Sequence, residues 1–184
     1  GKSTVFNRLT GMHQHTGNWP GKTVSNAQGK CVFEGESYIF MDLPGTYSLL
    51  AHSAEEEAAR DFLCFEQPDA CVVVCDATCL ERNLNLVLQV RELIPRTIVC
   101  LNLMDEAKRK GITLHIKKLE ASLGVPVVPV SARSGKGLER LLETIAQRCR
   151  EPAGEPIAAP CIEGIKRAAT VMEPVFREKG NLSE

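Results

Sequence analysis

Two kinds of apolar pattern alternate along this chain: short unbroken runs, and stretches in which apolar residues recur at helical spacing. Val5, Phe6 and Leu9 mark the buried face of a first helix over Ser3 to Leu9, with Gly11 just past its end. Met12 to Thr23 is rich in Gly, His, Asn and Pro, has no periodicity, and reads as a long loop of the kind that usually carries function. Val24 to Phe33 reads as an edge strand, Gly35 as a turn, and Ser37 to Met41 as a strand entering the core. Ser53 with Glu56 three residues on is a capping-box signature that opens a helix to Cys64. Ala70 to Cys75 and Thr97 to Leu101 are continuous apolar runs, the pattern of strands buried on both faces. Between them Asn83 to Leu93 is helical, with Leu84, Val87, Leu88 and Leu93 near one stripe and Pro95 ending it. Leu114, Ile116, Leu119 and Leu123 predict a helix capped by Thr113, and Val125 to Val130 predicts a last strand. Leu138, Leu141, Leu142 and Ile145 predict a closing helix over Gly137 to Cys149.

Strands alternating with helices of this length imply crossover units, hence an α/β fold with a mostly parallel sheet and helices on both faces. In such sheets ligands bind at the carboxyl ends of the strands, and every motif singled out below falls at such an end. The pattern changes after Arg150. Residues 1–150 are expected to form one domain and 151–160 a proline-marked linker. Ile162, Ile165, Ala169, Met172 and Phe176 suggest a helix that Pro174 kinks or ends near Met172, so that 151–184 is linker and the start of a further helical domain.

Composition narrows the class. The 184 residues are 43% hydrophobic with a net charge of −1, an ordinary globular balance that gives no basic footprint for nucleic acid. No apolar run reaches bilayer-spanning length. The eight cysteines include no Cys-x-x-Cys pair, and Cys71, Cys75 and Cys100 sit inside apolar runs, so reduced core thiols are expected. His13 and His15 lack carboxylate or cysteine partners nearby and read as solvated loop residues.

Four short motifs carry chemistry. Gly1-Lys2-Ser3-Thr4 is the end of a P-loop, in which backbone N–H groups cradle phosphates, the lysine reaches the β- and γ-phosphates, and the hydroxyl ligates Mg²⁺. The pattern's first half precedes Gly1, together with a strand expected inside the sheet. The chain as written is therefore expected to be unstable and to bind GTP poorly, and about ten to fifteen upstream residues, the length of a strand and half a loop, should restore both. Asp42-Leu43-Pro44-Gly45 follows a strand; Asp42 is placed to hold Mg²⁺ through a water, and Gly45 to offer its N–H to the γ-phosphate. Asn102-Leu103-Met104-Asp105 reads the base, because a carboxylate accepts two hydrogen bonds that guanine offers and adenine does not. Ser131-Ala132-Arg133 follows the last strand, with the Ala132 N–H placed for the guanine carbonyl oxygen. Thr23 is the switch threonine expected to meet Mg²⁺ and the γ-phosphate, and Thr46 stands where a water-orienting glutamine would follow Gly45, so hydrolysis should be slow.

Taken together, residues 1–150 resemble the GTPase domain of the ferrous iron transport protein B (FeoB) family. Thr16-Gly17-Asn18-Trp19-Pro20-Gly21-Lys22-Thr23-Val24, Asp42-Leu43-Pro44-Gly45-Thr46-Tyr47-Ser48-Leu49 and Asn102-Leu103-Met104-Asp105 carry the resemblance. It implies a P-loop GTPase that binds GTP or GDP with Mg²⁺, on the cytoplasmic face of a bacterial membrane, followed by a helical spacer domain and a transmembrane region that moves Fe²⁺. The implied nucleotide contacts are Gly1 to Thr4, Gly21 to Ser25 (Gly21, Lys22, Thr23, Val24 and Ser25), Asp42 to Gly45, Asn102 to Asp105 and Ser131 to Arg133. Lys2, Thr23 and Gly45 would act in catalysis, and Ser3, Thr23 and Asp42 would hold the metal. The P-loop asparagine that recruits K⁺ in this family belongs to a position before residue 1. The residues by themselves also admit a soluble GTPase of ribosome or tRNA maturation, and a signalling module gated by nucleotide.

Overall fold

Two strands buried on both faces set the layout of the computed structural model, which describes residues 1–11, 14–18, 25–44, 49, 53–66, 68–152 and 172–177. They are β4 (Ala70–Asp76) and β5 (Thr97–Asn102), parallel and in register from Cys71 opposite Thr97 to Asp76 opposite Asn102. Alternate residues leave the sheet on opposite sides. Cys71, Val73, Cys75, Val99 and Leu101 enter one apolar cluster, while Ala70, Val72, Val74, Ile98 and Cys100 enter the other. The first cluster is closed by α2 (Ala54–Phe65), α3 (Glu81–Leu93) and α5 (Ile116–Leu123), through Phe62, Leu63, Leu86, Val87, Val90 and Leu123. The second is closed by α1 (Lys2–Thr10) and α6 (Leu138–Arg150), through Val5, Phe6, Leu9, Leu141 and Ile145. Helices on both faces of the sheet are what the two-sided burial demands.

The sheet continues on either side of this pair, in the order β1-β2-β3-β7-β4-β5-β6. β6 (Val127–Pro129) is parallel to β5, and its shortness and proline blunt that edge against further pairing. β2 (Ser25–Phe33) and β3 (Glu36–Asp42) form an antiparallel hairpin. The parallel part of the sheet is thus β4 to β6, and the other pairings are antiparallel.

Local signals explain most element ends. Ser53 accepts a hydrogen bond from the Glu56 N–H at 3.2 Å, so the expected cap opens α2, and Glu55, Glu56 and Glu57 add negative charge at the positive end of the helix dipole. Gly11 ends α1 in the left-handed conformation, at φ 61°. The thiols of Cys71, Cys75 and Cys100 are buried and unbonded to one another, and burial pushes the Cys75 thiol up to about 12.

Three expectations are corrected, and one short helix was not foreseen. Gln14–Asn18, in the stretch expected to be a loop, forms strand β1 antiparallel to β2, so β1 rather than β2 is the edge. Its sequence has no apolar alternation; ladder hydrogen bonds alone make it a strand. Met172–Arg177, expected to end a helix, is instead strand β7, antiparallel to both β3 and β4, with Val175 opposite Phe40 on one side and Ala70 on the other. Pro174 denies a helix its N–H and biases the preceding residue toward extended backbone, which favours this outcome. An interior place in the sheet, of the kind expected for a strand upstream of α1, is held here by β7. α5 starts at Ile116 with His115 at its cap position, so Thr113 does not cap it. A short helix that the pattern did not signal, α4 (Met104–Arg109), follows β5; Ala107 is its one buried residue. The rest of the helix expected over 162–176 lies outside the described residues.

The contact between α1 and β2 depends on a missing side chain. A Cβ on Gly29 would stand 2.3 Å from Thr10 Cγ2 and 2.5 Å from Thr10 Cβ, so helix and strand meet only because position 29 is glycine. Gly29→Ala is expected to lower stability by about 1–3 kcal/mol through overpacking, measured by urea unfolding; an unchanged midpoint would show that α1 shifts freely on the sheet.

Candidate functional site

The carboxyl ends of β3, β4 and β5 and the start of α1 come together on one edge of the molecule. α1 starts at Lys2 with Gly1 as its cap residue and no side chain capping it, so its first-turn N–H groups have no intrahelical partner and favour an anion. The Lys2 ammonium turns toward the end of β3, where it donates to Asp42 Oδ1 and to the Leu43 carbonyl. Only 11% of the Lys2 side chain and 22% of the Asp42 side chain are exposed. Such a pair attracts more strongly than a surface ion pair and keeps both charges satisfied where water is scarce. Ser3 and Thr4 are exposed on the same first turn, and Pro44 is half-buried beside the fully buried Leu43.

Asn102 stands at the end of β5 with 2% of its surface exposed. Its Nδ2 donates to the Gly1 carbonyl at 3.4 Å, and its Oδ1 accepts the Ala132 N–H at 3.0 Å. One buried amide therefore joins the start of α1 to the loop after β6. The Ala132 N–H, expected to face a guanine carbonyl, is engaged here by Asn102. Leu103 follows with φ 65°, a left-handed backbone that costs a branched residue roughly 1–3 kcal/mol and persists where surroundings enforce it. That turn brings Asp105 into the first turn of α4. The Asp105 N–H donates to Ser131 Oγ at 3.2 Å, which ties α4 to the same loop, and its half-exposed carboxylate lies 3.5 Å from Arg109. Met104 is half-buried, Ser131 and Ala132 are buried, and Arg133 is exposed.

A cavity of about 290 Å³ opens among these groups, lined by Gly1, Lys2, Asn102 and Leu103 and, from β4 and the start of α3, by Asp76, Cys79, Arg82 and Asn83. The last four were not expected from sequence. A signal was available: Asp76 ends a buried parallel strand directly opposite Asn102, and ligands gather at such ends. Burial works against the Asp76 charge, but hydrogen bonds from the Thr78 N–H at 2.8 Å and hydroxyl at 2.6 Å, from the Cys79 thiol, and the field of Lys110 outweigh it and hold its pKa low.

The structure thus brings together Gly1, Lys2, Asp42, Asn102, Leu103, Ser131 and Ala132. Ser25 begins β2, paired with Asn18. Gly21, Lys22, Thr23, Val24 and Gly45 lie outside the described residues.

Known proteins resemble this chain along most of its length. Residues 1–145 match the family model described as ferrous iron transport protein B. The chain is 42% identical over 146 residues to an Fe(2+) transport protein A/Fe(2+) transporter FeoB fusion protein of Porphyromonas gingivalis, covering 79% of this chain and 17% of that protein. It is 41% identical over 145 residues to the Fe(2+) transporter FeoB of Escherichia coli K12, covering 77% of this chain and 19% of the relative. The chain thus spans less than a fifth of the length of these relatives. Among solved structures, the cytosolic domain of the T. maritima FeoB iron transporter in a GDP form aligns with a TM-score of 0.80 at 38% identity, over 83% of this chain and 60% of that one. The same domain in a GMPPNP form gives 0.81, over 83% and 61%. The FeoB G-domain from Methanococcus jannaschii gives 0.72 at 44% identity, over 82% and 91%. The fold is that of a P-loop GTPase.

Removing the Asn102 amide takes the partner from the buried Ala132 N–H and one of two hydrogen bonds from the Gly1 carbonyl, which also accepts the Val5 N–H. Asn102→Ala is expected to destabilise the chain by about 1–3 kcal/mol even without ligand, read as a lowered urea midpoint; no change would mean that the amide joins nothing that matters to the fold.

Proposed function

The chain belongs to the ferrous iron transport protein B family, and from that premise we propose that it binds GTP, hydrolyses it slowly, and regulates or drives Fe²⁺ uptake as the cytosolic part of a membrane transporter. One observation carries this reading: the start of α1, Asp42, Asn102 and the Ser131–Arg133 loop converge on a single edge, each at the carboxyl end of a strand or at a helix N-terminus. The family match favours it over a soluble GTPase of ribosome or tRNA maturation and over a free-standing signalling module. No helix among the described residues is long and apolar enough to cross a membrane; the proposed transporter's membrane-spanning region would follow a helical spacer that starts within 151–184.

In this reading the first-turn N–H groups of α1 and the Lys2 ammonium hold the β- and γ-phosphates. The Lys2 ammonium has three N–H donors, two of them held here by Asp42 and the Leu43 carbonyl, so the bond to Asp42 would loosen as phosphate competes for the same charge. Asp42 is then free to take a water, and with the exposed Ser3 hydroxyl it offers hard oxygen donors that suit Mg²⁺. When bound, that ion offsets the charge of the transferring phosphoryl group. Thr23 and the Gly45 N–H would close on the γ-phosphate. Asp105 takes the guanine N1–H and exocyclic amine. With Thr46 following Gly45 and no glutamine there, this chain orients the attacking water weakly, and turnover is slow.

Loops held by a γ-phosphate order with GTP and loosen after hydrolysis. Trp19, four positions before Thr23 in the chain, should therefore differ in fluorescence between GDP and a non-hydrolysable GTP analogue. Lys2→Ala in the full-length protein should abolish GTP turnover and cut uptake of labelled Fe²⁺ by cells. Wild-type uptake and turnover in that variant would overturn the assignment.

A further inference from the structure

Arg8 joins α1 to the far side of the loop after β6, a contact that the site so far leaves unexplained. It lies on the exposed face of α1, and its Nη2 donates to the Arg133 carbonyl at 2.6 Å. Its Nη1 stands 3.9 Å from where a Cβ on Gly135 would be, so one guanidinium reaches across the loop from Arg133 to Gly135. The loop's two ends are already fixed. At its start, Ala132 is tied to Asn102 and Ser131 to the Asp105 N–H, while Ser131 also pairs with Lys136. At its far end, Gly137 at φ 86° packs so closely that a Cβ there would stand 2.3 Å from the Pro129 carbonyl oxygen. What remains is the tip, Arg133 to Gly135, and Arg8 sits on it.

We propose that Arg8 is a positioning residue that latches the tip of the base-reading loop to the phosphate-binding helix and thereby sets how long guanine nucleotide stays bound. It acts through the loop, touching neither base nor phosphate, and the inference rests on the guanine-nucleotide reading above. The other holds named here come from β5, α4, β6 or the loop itself, whereas this one comes from α1. A movement of α1 on phosphate binding or release is therefore passed to the groups that face the guanine carbonyl. A charged donor on a carbonyl is a stronger hydrogen bond than a neutral one, though its exposure here reduces its net value.

The test compares nucleotide release from the wild type, Arg8→Ala and Arg8→Lys, in the full chain preceded by a complete P-loop. Release is followed for GDP and for 6-thioguanosine diphosphate, which keeps the N1–H and the amine read by Asp105 but puts a weakly accepting sulfur where the carbonyl oxygen faces the loop. Arg8→Ala should release GDP about three to ten times faster and leave release of the analogue unchanged. Arg8→Lys, which keeps one donor, should recover part of the GDP dwell time, and hydrogen exchange at residues 133–135 should rise in Arg8→Ala alone. Equal acceleration of both nucleotides would show that Arg8 acts through general stability, and unchanged GDP release would show that it holds nothing; either overturns the latch. A wild type that binds ADP as well as GDP instead overturns the guanine reading on which the latch depends.

Discussion

A single buried amide holds the site together. Asn102 ends a strand with both neighbours fixed, and its side chain has almost no access to water. It must find partners within the protein, because an unpaired buried polar group costs about as much as several ordinary contacts contribute. The partners it finds are a carbonyl at the start of α1 and an N–H on the loop after β6. Those are the segments that hold phosphate and face the base in the proposed reading. The residue that specifies the site is thus also the one that sets its dimensions.

The opposite side of the site is held by charge and is easier to open. Lys2 and Asp42 satisfy each other across the gap between α1 and β3. In the proposed reading a nucleotide with its metal would offer each of them a better partner of opposite sign. The amide link would then keep the base end in place while the ion pair lets the phosphate end respond. Asp42 lies three positions before Gly45, so the same reading couples the pair to the segment expected to sense the γ-phosphate.

How much of this was legible in the sequence follows from which forces write themselves into local patterns. The unbroken runs at 70–75 and 97–101 announced strands covered on both faces, and Ser53 with Glu56 announced the start of α2, because burial and capping leave a signature within a few residues. Lys2, Asp42, Asn102 and Asp105 are singled out because phosphate and guanine chemistry call for such groups; the structure shows where they stand, and what they bind belongs to the proposal. The strand at Gln14–Asn18 was hidden, since a polar strand made only by ladder hydrogen bonds has no apolar period. The strand at Met172–Arg177 was hidden as well, because its partners are more than a hundred positions away in the chain and apolar residues spaced there also fit a helix. Asp76, Arg82 and Arg8 matter through where the fold brings them, which no local motif records. The engagement of the Ala132 N–H by Asn102 is of the same kind.

The central claim is that these strand ends form a site for guanine nucleotide. Titration calorimetry of GDP against ADP, in the chain preceded by a complete P-loop, tests it most directly. A site whose Asp105 carboxylate is matched by guanine and left unpaired by adenine should prefer GDP by roughly a hundredfold or more, and Asp105→Ala should erase most of that preference. Equal affinities for GDP and ADP would contradict the account.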